Sequence, residues 1–437
     1  MQPSARDWGT PPGDGGATPP RADQHAPRRG SRLRAVVIVT AAVCAVLLAV
    51  TGGLAMIRAL TVSAGQGTAG HPAAVGSAVA GSAVAGSGKV RPAAPSLPKL
   101  SAAQLAGQRV IYSYAGLTPP ASLLRWIRDG AAGGVIFFSQ NISSGAQIAS
   151  VIAELDQANA SARNPLRKYP LLLMTDQEGG AVRRLPGQPE LSEKEIGESA
   201  HSVAQARAAG TAAAKNLAGA GMNVNLAPVL DVYRAPGGFD DQFQRSYSMN
   251  PRVVSGLGAA MIKGQQAAGV AATAKHFPGL GVAATEEDTD KLPVTLDVPL
   301  SELRTIDEYP YQAAIAAGVK LVMVSWAIYP ALDPKLPAGL SPAIVGGELR
   351  QRLGFTGVTI TDALEAGALQ PFGTIRNRAR MAAQAGMDLI LCSALKPGEG
   401  GQARIALDKD YGSGALSHPV FQAAVQRILA LRASLRH

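Results

Sequence analysis

The sequence predicts a single (β/α)8 barrel of the TIM type, and three observations predict it. Eight short apolar runs recur between Arg109 and Cys392. Each run is continuous rather than alternating, as parallel strands are when both faces of the sheet are covered. Helix-like stretches separate the runs, in a segment of roughly 335 residues that starts near Ser101 and has the length of one such barrel.

The strands are expected at Arg109–Tyr114, Gly134–Ser139, Pro170–Thr175, Met222–Leu226, Val270–Ala274, Lys320–Ser325, Gly357–Thr361 and Asp388–Cys392. Helical patterns fall at Gln147–Ala160, Ala200–Ala218, Val253–Ala268, Glu302–Ala317 and Thr374–Ala385. Thr118-Pro119 reads as a cap and opening for a further helix, and Gly269, Gly318 and Gly386 as stops. An open doubly wound sheet would call for a Gly-rich dinucleotide loop after an early strand, and the chain offers none in that context.

What precedes the barrel is of another kind. Residues 1–34 are polar and rich in Pro, Gly and Arg, without the apolar surface for a core, and are expected to be disordered. Ala35 to Ile57 is an uncharged apolar run, about 34 Å long as a helix and sufficient to cross a bilayer. Arg28, Arg29, Arg32 and Arg34 precede it and Arg58 stands nearly alone after it, which puts the N-terminus in the cytoplasm and the barrel outside. A cleaved signal peptide, cut near Val62-Ser63-Ala64, is the competing reading; the long leading segment and long apolar run favour an uncleaved anchor. Residues 58–100 read as an Ala/Gly/Ser/Pro-rich linker that contains SAVAG twice.

The chain has 437 residues and a formal charge of +10. Ten cationic residues against three acidic ones lie in the first hundred, so +7 sits there and only +3 on the barrel. A basic tail on a nearly neutral body argues against a nucleic-acid groove. The two cysteines exclude a disulfide framework and a four-thiolate zinc site in the monomer.

Active sites of such barrels form at the C-terminal strand ends. There the third strand runs into Asp176-Gln177-Glu178-Gly179-Gly180, and Asp231 and Arg245 follow the fourth. Lys275-His276 ends the fifth, before a loop with Glu286, Glu287, Asp288 and Asp290; Trp326 and Asp362 end the sixth and seventh. A lone Asp at a strand end often only caps the next helix, but several carboxylates with Lys, His and Arg on one rim point to a site. Retaining glycoside hydrolysis suits this set: a fixed carboxylate nucleophile, a proton donor opposite it on a mobile loop, and cationic side chains for sugar hydroxyls. Zinc is not called for, since His276 is the one rim histidine and no HxH or HxxxH spacing occurs; nor is a GxSxG elbow present.

These segments resemble glycoside hydrolase family 3, in particular its single-domain β-N-acetylhexosaminidase branch. The resemblance rests on GGVIFFSQN (Gly133–Asn141), PLLLMTDQEGGAVRRL (Pro170–Leu185), MNVNLAPVLDV (Met222–Val232), RSY (Arg245–Tyr247), AKHFPGLG (Ala274–Gly281), LGFTGVTITDAL (Leu353–Leu364) and AGMDLIL (Ala385–Leu391). It implies a barrel with a covalent glycosyl intermediate, Asp362 as the nucleophile, and Asp176, Arg245, Lys275 and His276 as residues that hold the sugar. Glu178 reads mainly as part of a backbone bend before two glycines, and Asp231 as an orienting residue.

The match fails at one point. The branch reads KHFPGHG and then Asp-Ser-His, whose His is the acid/base. Here Leu280 replaces the first His, and the later triplet is Asp288-Thr289-Asp290, two residues further along. Asp290, or a neighbour among Asp288, Glu287 and Glu286, is the expected substitute; a slow enzyme limited to good leaving groups is a second reading. The alternative class is a glycan-binding pseudoenzyme that keeps the sugar pocket. The sequence thus predicts a monomeric, membrane-anchored β-glycosidase outside the cytoplasm (secreted if the anchor is cleaved). The resemblance implies terminal β-N-acetylglucosaminides of cell-wall type as the substrate, and no cofactor, metal or nucleic acid is expected.

Overall fold

The computed structural model describes residues 97–435, and the tail, the apolar segment and most of the linker lie outside them. Among the described residues no helix is long and apolar enough to cross a membrane.

Eight parallel strands close into a barrel. They are β1 Val110–Tyr112, β2 Gly134–Ile136, β3 Leu172–Thr175, β4 Val224–Asn225, β5 Ala271–Phe277, β6 Leu321–Val324, β7 Val358–Ala363 and β8 Leu389–Leu391. Neighbours in sequence are neighbours in space. The register runs through Ile111↔Gly134, Gly134↔Leu172, Met174↔Val224, Val224↔Ala271, Thr273↔Leu321, Leu321↔Val358 and Ile360↔Leu389, and closes at Leu391↔Ile111. Every expected strand overlaps one of these, and the termini differ by a few residues, β5 and β7 running on to Phe277 and Ala363.

Two apolar layers hold the barrel. Inside lie Ile111, Ile136, Leu172, Met174, Val224, Ala271, Leu321, Met323, Val358, Ile360, Leu389 and Leu391. The alternate residues, among them Val135, Leu173, Ala272, Val322 and Ile390, pack outward against the helices. Side chains alternate along a strand, so these parities say which residues just past each strand end still point inward. Truncating one inner side chain, as in Ile360→Ala, is worth about 2–5 kcal/mol.

The helices begin and end on local signals. Ser101, Ser144, Asn250 and Thr374 cap Ala102–Gln108, Gly145–Asn159, Pro251–Ala267 and Ile375–Ala385 with their side chains. Gly269, Gly318 and Gly386 follow helices with φ of 87°, 77° and 100°, a conformation that glycine adopts without strain. Two expectations need correction. The helix after β1 is Ala121–Arg128 with Pro120 at its N-cap, so Thr118 does not cap it. The stretch expected as one helix over Glu302–Ala317 is divided into Leu300–Glu302, a π-helical turn Leu303–Asp307, and Tyr309–Ala316. Pro310 lacks the N–H that would continue one α-helical ladder through this point.

Candidate active site

The strand parities carry polar residues to one mouth. Val358 and Ile360 point into the barrel, and Asp362, two residues on, does the same at the top of β7. Met174 leads to Asp176, Ala271 to Lys275, Ile136 to Phe138 and Leu391 to Ser393 by the same rule. These rim residues surround a pocket of about 590 Å³ that includes its open mouth. Its apolar floor is Ile136, Leu226, Met323 and Leu391. His276 at the end of β5 and the loops above, with Arg184, Arg245, Leu280, Thr289 and Asp290, complete the pocket.

One wall is a buried ionic network. Lys275 Nζ lies 2.7 Å from Asp176 Oδ1 and 2.7 Å from Glu178 Oε1. Arg245 grips Glu178 with two parallel bonds, Nε to Oε2 at 2.8 Å and Nη2 to Oε1 at 2.9 Å, and donates from Nη1 to Asp240 at 2.9 Å. Burial alone would raise the Asp176 carboxyl, but the charges of Lys275 and Arg184 outweigh it and hold it well below the carboxylate range. Glu178 is held down against burial in the same way, by Arg245 and Lys275. Lys275 is pushed up by Asp176 and Glu178 despite its burial. Of these groups Asp176 keeps the most solvent access, with 17% of its side chain exposed against 2% for Lys275 and Glu178. A ligand entering the pocket therefore meets Asp176 backed by a fixed cation.

His276 is oriented from behind. Its Nδ1 lies 2.7 Å from Asp231 Oδ2, and Asp231 Oδ1 accepts from the Leu280 amide at 2.7 Å. Burial works against the charged imidazole, but Asp231 reverses it and raises His276 above its ordinary value. Burial raises the Asp240 carboxyl, and the Asp231 charge adds to this, bringing it to about 7. The peptides Lys275–His276 and Phe277–Pro278 are cis. Asp231, Asp240 and His276 form the one group among the described residues with three potential metal ligands close together. Both oxygens of Asp231 already accept hydrogen bonds, and Asp240 is ion-paired to Arg245, so the group reads as an orienting dyad with a neighbour.

Asp362 is buried at the end of β7, and its Oδ1 accepts from the Ala363 amide at 2.7 Å. The loop of Asp290, on the same pocket, is tied down. The Asp290 and Thr289 carbonyls accept from the amides of Gly367 (2.8 Å) and Ala368 (3.0 Å), just beyond β7. The loop expected to be mobile is thus hydrogen-bonded to the segment that follows Asp362. Asp290 lines the pocket; Asp288 does not, and instead accepts from the Asp290 amide at 2.9 Å and pairs with Lys291 at 3.0 Å. Trp326 is buried under the rim, where Nε1 donates to the Ala363 carbonyl at 2.8 Å.

The structure brings Asp176, Arg245, Lys275, His276, Asp290 and Asp362 to one pocket. Sequence reasoning missed Arg184 and Asp240, and took Glu178 for a bend. The bend is present: Gln177–Gly179 and Val182–Arg183 form a short hairpin, and a Cβ on Gly179 would stand 2.2 Å from the Leu191 carbonyl. Glu178 also shares the inward parity of Asp176, a signal that was available. Asp240 lies in a loop and carried no such signal.

Residues 102–431 match the model of the glycosyl hydrolase family 3 N terminal domain. An uncharacterized secreted glycosyl hydrolase of Arthroderma benhamiae is 45% identical over 343 residues, 78% of this chain and 96% of that protein. A beta-hexosaminidase of Stenotrophomonas maltophilia is 32% identical over 291 residues, 64% of this chain and 82% of that one. The solved family 3 beta-N-acetylglucosaminidase of Paenibacillus sp. str. FPU-7 superposes with a TM-score of 0.71 at 35% identity; the match covers 77% of this chain and 63% of that one.

Proposed function

Because the chain belongs to glycosyl hydrolase family 3, we propose that it is a retaining β-glycosidase acting on terminal β-N-acetylglucosaminides. The observation that carries this reading is the shared pocket: Asp362 on β7 and Asp290 on a tied loop line one cavity with the Asp176–Lys275 pair, Arg245 and His276. In the first step the Asp362 carboxylate attacks C1 of the sugar. The C1–O bond to the leaving group breaks, and the Asp290 carboxyl gives its proton to the departing oxygen. In the second step Asp290, now a carboxylate, takes a proton from water as the water oxygen attacks C1 and releases Asp362. Asp176, Lys275, Arg245 and His276 hold the sugar hydroxyls. The pairs of Lys275 with Asp176, of Arg245 with Glu178 and Asp240, and of His276 with Asp231 fix their positions before the sugar arrives, which lowers the ordering cost of binding. No metal or cofactor enters these steps.

The names of the related beta-hexosaminidase and beta-N-acetylglucosaminidase support N-acetylated sugars as substrates, and glycans of cell-wall type are the class proposed. The barrel acts outside the cytoplasm as a monomer, anchored by the apolar segment 35–57 and spaced from the membrane by linker 58–100. The Arthroderma relative, named as secreted, supports an extracytoplasmic place.

The test is release of an aryl alcohol from an aryl β-N-acetylglucosaminide by the wild type and by Asp362→Asn, with mass spectrometry after a 2-deoxy-2-fluoro or 5-fluoro sugar inactivator. Turnover by the wild type alone and a sugar adduct on Asp362 are expected. Sugar binding in calorimetry with neither turnover nor adduct would replace the enzyme by a glycan-binding protein.

A further inference from the structure

The wall opposite the ionic network holds one polar acceptor among apolar side chains. Going round the barrel from Asp362 on β7, the pocket is lined by Leu391 and Ser393 at the end of β8, then by Ile136 of β2 and Phe138 just beyond it. Ser393 is buried, and it points inward by the parity of Leu389 and Leu391.

Ser393 is also unusually well held. Its Oγ donates to Glu365 Oε1 at 2.7 Å, and its amide donates to Glu365 Oε2 at 3.3 Å. The next two amides are taken as well, Ala394 by Glu399 Oε2 at 3.0 Å and Leu395 by Ser113 Oγ at 2.8 Å. Leu395 has φ of 61°, a left-handed conformation that is costly for a residue with a branched side chain and persists only where its surroundings enforce it. Burial, and then the charge of Glu365, pushes the Glu399 carboxyl up to about 8, so at neutral pH it adds no second full charge to the turn. Since the one hydroxyl hydrogen of Ser393 is committed to Glu365, its oxygen can only accept from a ligand.

The chemistry of that wall fits an acetamido group. The C2 substituent is bonded to the carbon next to C1, so it lies beside the nucleophile that attacks C1. An N–H donor and a methyl group leave that carbon together in an N-acetylated sugar. We propose that Ser393 accepts a hydrogen bond from the N–H of the 2-acetamido group, whose methyl packs on Leu391, Ile136 and Phe138, and that Glu365 is the positioning residue that aims it. The inference rests on the β-N-acetylglucosaminidase reading and names the residue that selects the N-acetyl group.

The experiment compares kcat/KM for an aryl β-N-acetylglucosaminide and the matching aryl β-glucoside in the full-length protein, Ser393→Ala, Glu365→Ala and Glu365→Gln. The wild type is expected to prefer the N-acetylated substrate. Ser393→Ala is expected to lose about ten-fold of that preference, as the loss of one buried hydrogen bond does, mainly on the acetamido substrate. Glu365→Ala is expected to shift the ratio in the same direction, and Glu365→Gln, which keeps an acceptor, to restore most of it. Thermal melts check folding, and calorimetry with N-acetylglucosamine and glucose reads the same selectivity as affinity should a variant lose turnover. An unchanged ratio in Ser393→Ala, or an equal fall on both substrates, overturns the inference while the glycosidase reading stands. Absence of turnover and sugar binding in the wild type overturns both.

Discussion

The carbonyl oxygen of Asp290 accepts a hydrogen bond of 2.8 Å from the amide of Gly367. This bond ties the proposed proton donor to the chain just beyond the proposed nucleophile, so the two carboxyl groups are positioned by one piece of backbone. Gly367 has no room for a side chain, since a Cβ there would stand 2.1 Å from the Lys291 carbonyl. Gly367→Ala is therefore expected to displace the Asp290 loop. The rate should fall more for substrates with poor leaving groups than for activated aryl glycosides, which a leaving-group series measures. An equal loss across the series would mean that the loop does not position the donor.

Asp290→Ala should slow substrates with poor leaving groups by about 10²–10⁴-fold and leave activated aryl glycosides much less affected. Azide should restore part of the rate on aryl substrates and give a β-glycosyl azide, because the small anion needs no general base in the second step. Failure of both signs would move the role to another group of the same loop.

Glu178 bridges Arg245 and Lys275 deep in the wall. Glu178→Ala removes a carboxylate that both cations share and leaves buried charge uncompensated. A loss of about 3–5 kcal/mol in denaturant unfolding is expected, with sugar binding weakened even where the protein remains folded. A change below about 1 kcal/mol would show that Asp176 and Asp240 suffice to hold both cations.

Stability should depend on pH through the same groups, with opposite signs. Asp176, Glu178 and Asp231 are held below their ordinary values, so their stabilisation is present above those values and is lost as the pH falls through the lowered ones. Asp240 is raised from 3.8 to about 7, chiefly by burial and then by Asp231. Between those values the native state binds a proton that the unfolded chain does not, so stability declines as the pH rises through this window. His276, raised above 6.5, acts in the same direction: its contribution is complete below 6.5 and is lost as the pH climbs through the raised value. Maximal stability is expected at about pH 4, where the lowered carboxylates are ionised and Asp240 still holds its proton, with a decline toward pH 8 that Asp240→Asn makes shallower. Thermal melts across pH 4–9 measure it, and an unchanged slope in Asp240→Asn would mean that Asp240 does not take up the proton.

The barrel was legible in the sequence because its cause is local. A strand buried on both faces must be apolar throughout, as Leu321–Val324 is, and a helix must begin on a cap and end on a glycine, as Thr374 and Gly386 do. Alternation then fixes that Asp362 shares a side with Val358 and Ile360, before any fold is known. Partnership is another matter. Glu178 and Arg245 are 67 positions apart, and Asp176 and Lys275 are 99; no local pattern selects one partner for the other. That choice was made when the barrel closed and set the β3 and β5 ends on one rim, with the loop after β4 folded over it. The burial of Asp240, the backing of His276 by Asp231 and the exclusion of Asp288 from the pocket were decided at the same step. Residue type and spacing determined which groups reach the strand ends; desolvation and Coulomb attraction between distant parts of the chain decided which of them face the pocket and which face one another.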